Sequence, residues 1–495
     1  MFESAELGHT IAKAVYDAEV PKLREDLLNA QFDLAQHAGF PVIILAGGVD
    51  GAGKGETVNL LNAWMDPRHI QVHAMGEPSD EERERPPMWR FWRALPPKGK
   101  IGVFFGSWYT SPIVDRVMGD TTASELDQSI DEINRFETML SNEGALIIKF
   151  WFHLSREAQR KRLKSLEKDT KTRWRVTELD WKRFKLYDRF RKVSEHALRA
   201  TSSAAAPWIV IEGTDARYRN LTTGKLLLEA LRKRLKHPER PVPEAAPPLH
   251  APIDRLNVLD GLDMSQKLAD KAFAAQLEKY QGKLNLLTRD ERFRNLSVIA
   301  LFEGSDAAGK GGAIRRITGA LDARQYRIIP VAAPTEEERA QPYLWRFWRH
   351  IPRSGSVTVF DRSWYGRVLV ERVEGYCSEA DWMRAYGEIN DFEEQLVAHD
   401  TVLVKFWLTI TKEEQLRRFR EREKTGFKRF KITEEDWRNR KKWDAYETAV
   451  CDMVDRTSTG TAPWTLVEAN DKNYARIKIL KTLCRRIAAA VKKRG

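Results

Sequence analysis

Two aspartates and a lysine in the C-terminal half carry the first chemical signal. Asp306 and Lys310 lie within Gly304-Ser-Asp-Ala-Ala-Gly-Lys-Gly311, and Asp361 closes the apolar run Val357–Phe360. The first segment reads G-x-x-x-x-G-K. Glycines let such a backbone curl its N–H groups toward an anion, and the lysine reaches a terminal or bridging phosphate. Gly304, Ala308, Gly309, Lys310 and Gly311 are the expected phosphate contacts. Gly311 stands where Ser or Thr normally supplies a hydroxyl for Mg²⁺, and Asp306 is the carboxylate placed to take over that work. Asp361, after a buried strand, occupies the position of the second metal ligand in such sites, just outside the strand ends. Its plainer reading is a cap for the next turn. Arg362 beside it would clamp a phosphoryl group through two hydrogen bonds, or form a surface ion pair.

These residues need a strand–loop–helix frame. Val298–Phe302 is apolar enough for the strand before the loop, and a helix-like segment follows Gly311. Further strands are expected at Val357–Phe360, Thr401–Trp407 and Trp464–Glu468, with helices between them, which predicts a parallel sheet covered on both faces. Thr411-Lys-Glu-Glu414 is a capping box that opens a basic helical stretch, and Thr433-Glu-Glu-Asp436 starts another helix. From Thr411 to Lys442 there are 13 Lys or Arg against 7 Asp or Glu. The stretch reads as a lid over the loop, with Arg417, Arg418 and Lys424 pointing at phosphates. A solvated helix with i,i+4 pairs is the alternative. Asn390 and Glu393, three apart on one helix face, are candidate nucleotide ligands, or partners in helix packing. Trp345 and Trp348 read as core, and His350 and His399 as structural.

The sequence repeats itself at a constant spacing of 256 residues, from Gly48 to Gly304 and from Trp89 to Trp345. A period this long is a tandem duplication of a whole domain. Residues 1–237 and 257–495 form the expected domains, and residues 238–256, rich in proline, the linker. The first repeat keeps Asp50 and Lys54, but Phe105 and Gly106 replace the pair Asp361–Arg362. It therefore reads as a degenerate site beside one working site.

Composition narrows the class. With 42% hydrophobic and 31% charged residues the chain is globular, and no apolar run approaches membrane-spanning length. No signal peptide is read at the N-terminus, and Cys377, Cys451 and Cys484 show no metal or disulfide spacing, so a cytoplasmic setting is expected. The net charge of +12 points to an anionic partner.

The combination G-x-D-x-x-G-K-G, the strand end Phe360-Asp-Arg-Ser-Trp-Tyr365 and the basic lid resembles the polyphosphate kinase 2 family. The resemblance covers most of each repeat and implies an α/β fold of two tandem P-loop kinase domains like thymidylate kinase. It also implies transfer of the terminal phosphate of inorganic polyphosphate to AMP, giving ADP, with Mg²⁺ (or Mn²⁺) on Asp306 and Asp361. Asp306, Lys310, Asp361 and Arg362 are the residues that match the family's motifs. The expected partners are polyphosphate and AMP or ADP, with neither nucleic acid nor membrane, and the oligomeric state is left open. The rival readings are an ATP-dependent nucleoside monophosphate kinase and a non-catalytic polyanion binder.

Overall fold

The computed structural model describes residues 1–37, 39–237, 257–426 and 432–494. The expected linker at 238–256 and the basic segment Lys428–Lys431 fall outside these. The chain divides into two compact units. One comprises Met1–Pro78, Arg90–Val242 and Thr335–Trp345, the other Ser79–Trp89, Pro243–Pro334 and Arg346–Gly495. Each unit thus includes a short segment of the other repeat, taken from the same place in the duplication.

Each unit is built on a five-stranded parallel sheet. In the first, the strands are β1 (Val42–Gly48), β2 (Ile70–Ala74), β3 (Ile101–Phe105), β4 (Leu146–His153) and β5 (Trp208–Glu212), in the order β2-β3-β1-β4-β5. In the second they are β6 (Ser297–Gly304), β7 (Tyr326–Pro330), β8 (Val357–Asp361), β9 (Thr401–Thr409) and β10 (Trp464–Glu468), in the equivalent order. The central strand of each sheet is aliphatic because helices cover both of its faces, leaving no wet side for alternation. Val298, Ile299, Ala300, Leu301 and Phe302 are all fully buried. β7 was not expected as a strand: it lies at a sheet edge, its residues are half-buried or exposed, and it ends in Pro330. An edge position tolerates that proline and demands no apolar run.

The helices follow their caps. Thr411 accepts from the Glu414 amide at the start of Lys412–Lys424, but the expected box does not close, because the Glu414 carboxylate pairs with Arg417 and Arg418 and the Thr411 amide donates to Asn470. Ser378 closes a capping box on Glu379–Ala398. The first long helix spans Lys13–His37 with Pro21 inside it. Trp348 is 1% exposed and packs edge-on against Phe392, so the tryptophan-rich segment serves the core. Among the described residues no helix is long and apolar enough to cross a membrane.

Candidate active site

In the second unit the register of the sheet decides what meets what. β6 pairs with β8 so that Phe302 faces Asp361, and the loop begins two residues later at Gly304. Asp361 and the loop therefore share one sheet edge. Gly304 has φ of 150°, and a Cβ there would lie 2.5 Å from the Leu408 carbonyl oxygen, so no other residue fits. Gly309, at φ 110°, caps the helix Lys310–Thr318. A Cβ on Gly311 would meet nothing within 4 Å, so packing does not forbid a hydroxyl there. Lys310 folds back on the loop, its Nζ donating to the Gly304 carbonyl at 2.6 Å. Ala307 adopts a left-handed φ of 65° in the middle of the loop.

The strand end Asp361–Tyr365 divides its side chains between the site and the core. Arg362 takes φ of 66°, and its guanidinium stands 3.7 Å from the Asp306 carboxylate and 3.9 Å from Glu435. Burial works against this cation, but Asp306, Glu303, Glu435 and Asp361 outweigh it and hold its pKa above the ordinary value. Ser363 donates to Glu303 Oε1 at 2.8 Å. Burial pushes the Glu303 carboxyl up, against the opposing pull of Lys310, Ser363 and Arg362.

Trp364 and Tyr365 reach inward. The Trp364 indole and Tyr365 hydroxyl donate to Glu393 Oε1 at 3.0 and 2.7 Å, and Lys405 donates to its other oxygen at 2.6 Å. Glu393 is 1% exposed, so it lies in a dry ion-pair cluster and not in an open nucleotide cleft. Asn390 likewise donates its amide to the Arg456 carbonyl at 3.0 Å, a packing bond between helices. The first unit builds the same cluster from Trp108, Tyr109, Glu137 and Lys149, at 3.0, 2.7 and 2.7 Å. A cluster retained where the site carboxylate is lost belongs to the scaffold.

The lid cations are not equivalent. Arg418 is 3% exposed, and its guanidinium donates to the carbonyls of Ala307, Ala308, Ala469 and Asn470 at 2.7 to 3.1 Å. It braces the loop from behind and leaves no N–H for a substrate. Arg417 points outward and pairs with Glu414 and Glu421 of its own helix at 2.7 and 3.4 Å. That Arg417 pair is the main reason the Glu414 carboxyl titrates below the usual range. Lys424 is exposed in the last turn of its helix.

Two lid residues that sequence reasoning missed reach the loop. Gln415 donates to the Asp306 carbonyl at 3.2 Å, and Asn439 donates to Asp306 Oδ2 at 2.9 Å. Both are uncharged residues in a stretch read for its charge. For Asn439 the usable signal was the difference between repeats, since Arg183 stands there in the first. Gln415 has an identical counterpart in Gln159, which donates to the Asp50 carbonyl at 3.0 Å.

The first unit keeps the loop but not the aspartate–arginine pair of the second. Lys54 donates to the Gly48 carbonyl at 2.6 Å and lies 3.4 Å from Asp50. The Phe105 ring approaches to 3.8 Å of where a Cβ on Gly55 would stand, covering the start of the loop helix with carbon. Gly106, at φ 83°, offers no side chain.

The donor set of the second unit suits a hard cation. Asp361 is half-buried at the strand end, and among the described residues no hydrogen-bond donor touches its carboxylate. Asp306 stands at the same edge with one oxygen engaged by Asn439. Among the described residues no cluster of three or more metal-ligating side chains exists. Mg²⁺ is commonly held by one or two carboxylates, with substrate phosphates and water completing the octahedron.

Comparison with known proteins agrees with this geometry. Residues 10–239 and 267–495 each match the family described as polyphosphate kinase 2. The chain is 61% identical over 495 residues to a polyphosphate:AMP phosphotransferase of Pseudomonas aeruginosa, covering 100% of both. It is 40% identical to one from Acinetobacter johnsonii, covering 97% of this chain and 98% of that one. A crystal structure of a polyphosphate kinase 2 from Pseudomonas aeruginosa PA01 superposes with a TM-score of 0.91 at 59% identity, over 100% of both chains. On that evidence the chain belongs to the polyphosphate kinase 2 family, present twice in tandem.

Proposed function

We propose that the protein transfers the terminal phosphate of inorganic polyphosphate to AMP, giving ADP, in its C-terminal repeat. The observation that carries this reading is the gathering of Asp306, Lys310, Asp361 and Arg362 at one sheet edge, set against Phe105 and Gly106 in the first repeat. Relatives that match it end to end bear the name of that activity.

The reaction asks for positioning and charge neutralisation rather than a covalent nucleophile. An oxygen of the AMP phosphate attacks the terminal phosphorus of the chain in line. The P–O bond to the rest of the chain breaks, and its electron pair leaves with a polyphosphate shorter by one unit. Lys310 and the loop amides between Gly304 and Gly311 face the transferring group, and Arg362 neutralises charge that develops on its oxygens. Asp306 and Asp361 would hold Mg²⁺, with Mn²⁺ as the alternative, and the cation would screen the repulsion between two anionic substrates. Lys424 and the outward face of the lid would attract the following phosphates, an attraction that weakens with salt. The absence of disulfides among the three cysteines suits a reducing cytoplasm.

The test is incubation with AMP, Mg²⁺ and long-chain polyphosphate, without ATP, with ADP as the readout. ADP formed in proportion to enzyme supports the assignment of donor and acceptor. No ADP, with ATP restoring the reaction, means the donor is a nucleoside triphosphate and the proposal fails.

A further inference from the structure

Asn439, on the lid helix Glu434–Lys441, bonds directly to the carboxylate of the phosphate loop, its Nδ2 lying 2.9 Å from Asp306 Oδ2. A carboxylate only accepts, so the amide nitrogen faces it and the amide oxygen faces away. That oxygen lies 3.2 Å from the Tyr446 hydroxyl, whose single proton is shared between it and Glu374 Oε1. Tyr446 in turn lies 3.4 Å from Glu374 Oε1, while Glu374 Oε2 stands 3.1 Å from Arg438 Nε and accepts from Lys442 Nζ at 3.0 Å. The Glu374 side chain is only 4% exposed. One buried carboxylate thus holds the lid segment on both sides of Asn439, and Asn439 holds Asp306.

The first repeat provides the internal comparison. Arg183, Phe190, Met118 and Leu186 occupy the positions of Asn439, Tyr446, Glu374 and Lys442, so none of these hydrogen bonds can form and an ion pair takes the place of the amide contact to the loop carboxylate. Arg183 sits 3.7 Å from Asp50 as an ordinary ion pair, and Met118 is 54% exposed. The fold and the buried cluster of Trp108, Tyr109, Glu137 and Lys149 survive in that repeat without these links, so the links are not needed for folding. They are present only where Asp361 and Arg362 are present.

We infer that Asn439 is a positioning residue for the phosphoryl transfer: locked by Tyr446 and Glu374, it orients Asp306 and makes that orientation depend on a docked lid. This rests on the proposed reaction at the same loop. The physical need is plain. Rotation about the last bond of an aspartate is broad, and Arg362 waits 3.7 Å from Oδ1. With Oδ2 tied to Asn439, Oδ1 stays turned toward the reacting groups. Released, the carboxylate closes on Arg362 as a tight ion pair, and both are withdrawn from the substrates.

The test compares Asn439→Leu, which keeps the size and removes the donor, with Tyr446→Phe, which leaves the amide but frees its orientation. Each is measured for kcat and KM, for melting temperature, and for amide hydrogen exchange of Glu434–Lys441 in the full chain without substrates. Removing an outer partner of a ligating carboxylate typically costs about 10–100-fold in activity. The expected result is a kcat loss of that size in Asn439→Leu and a smaller one in Tyr446→Phe, with each KM within about threefold. Exchange should rise in Glu434–Lys441 alone, melting should be unchanged, and the double variant should be no worse than Asn439→Leu. A kcat within about twofold of the wild type in Asn439→Leu overturns the inference. So does a lowered melting temperature with exchange rising throughout the C-terminal unit, or additive losses in the double variant. If no polyphosphate-dependent ADP forms even in the wild type, the reaction assignment fails, while the exchange result still decides whether Asn439 docks the lid.

Discussion

Arg362 and Gly106 occupy equivalent positions just beyond their strands, and both have left-handed backbone, with φ of 66° and 83°. A glycine adopts that conformation freely, whereas a residue with a Cβ is strained there by roughly 1–2 kcal/mol. The repeat that lacks Asp361 has the relaxed residue, and the repeat that keeps it carries the strain. Strain kept at only one copy of a duplicated turn is a reason to test that side chain for a part in the chemistry.

Replacing Arg362 with Gly should therefore separate stability from activity. The backbone relaxes, the added freedom of glycine in the unfolded chain offsets roughly 0.5–1 kcal/mol of that gain, and melting should stay within about 2 °C. Turnover should fall by about 10²–10³, the usual loss when a donor aimed at developing charge is removed. A stable variant with more than a tenth of wild-type kcat would take Arg362 out of the mechanism.

Asp306→Asn and Asp361→Asn should each abolish turnover without unfolding the protein. An asparagine at 306 still offers an oxygen to Asn439, so the lid bond at 2.9 Å need not be lost. Asp361 has no donor among the described residues, so neutralising it breaks no hydrogen bond there. The loss should exceed the roughly 10–100-fold typical of outer partners. Normal melting curves with surviving ADP formation would show that the residue in question does no work in the transfer.

Restoring the lost pair in the first repeat should not create a second active site. With Phe105→Asp and Gly106→Arg introduced into an Asp361→Asn background, ADP formation should stay at the level of that background. A Cβ on Gly106 would stand 2.4 Å from the Met75 carbonyl oxygen, so the arginine cannot be seated as Arg362 is. Gly47 also stands where Glu303 does, and Arg183 where Asn439 does. Recovery to wild-type rates would mean that the aspartate–arginine pair suffices and that the lid connection is dispensable.

Most of the second sheet was legible because its strands are short apolar runs between turn residues, and the loop because glycine and lysine spacing is dictated by an anion. The duplication supplied the rest, since Phe105 and Gly106 mark the first repeat as the copy that lacks the Asp361–Arg362 pair. What escaped is set by tertiary environment. β7 had no apolar run to reveal it, because an edge strand needs none. Arg418 looked like Arg417 in sequence, yet one is buried against four carbonyls and the other pairs in solvent. Glu393 carried a charge that suggested a ligand, while Lys405, 12 residues on in the next strand, claimed it for the core.

Glu303 offers a pH test of the site's interior. Burial raises its pKa above the ordinary 4.5, so the folded state binds its proton more tightly than the unfolded chain. The sign follows from linkage: this group favours folding when protonated, and that contribution is lost as pH rises from about 4.5 through the higher folded value. Glu303→Gln keeps an oxygen for Ser363 but cannot ionise. The melting temperature of the variant minus that of the wild type should therefore climb as pH rises above 4.5 and then level off. Each unit of upward shift corresponds to about 1.4 kcal/mol, or roughly 3–6 °C for a domain of this size. Melting scans of both proteins from acid to neutral pH decide it. A difference that shrinks as pH rises would mean that Lys310 and Arg362 outweigh burial and that Glu303 is stabilised as an anion in the fold.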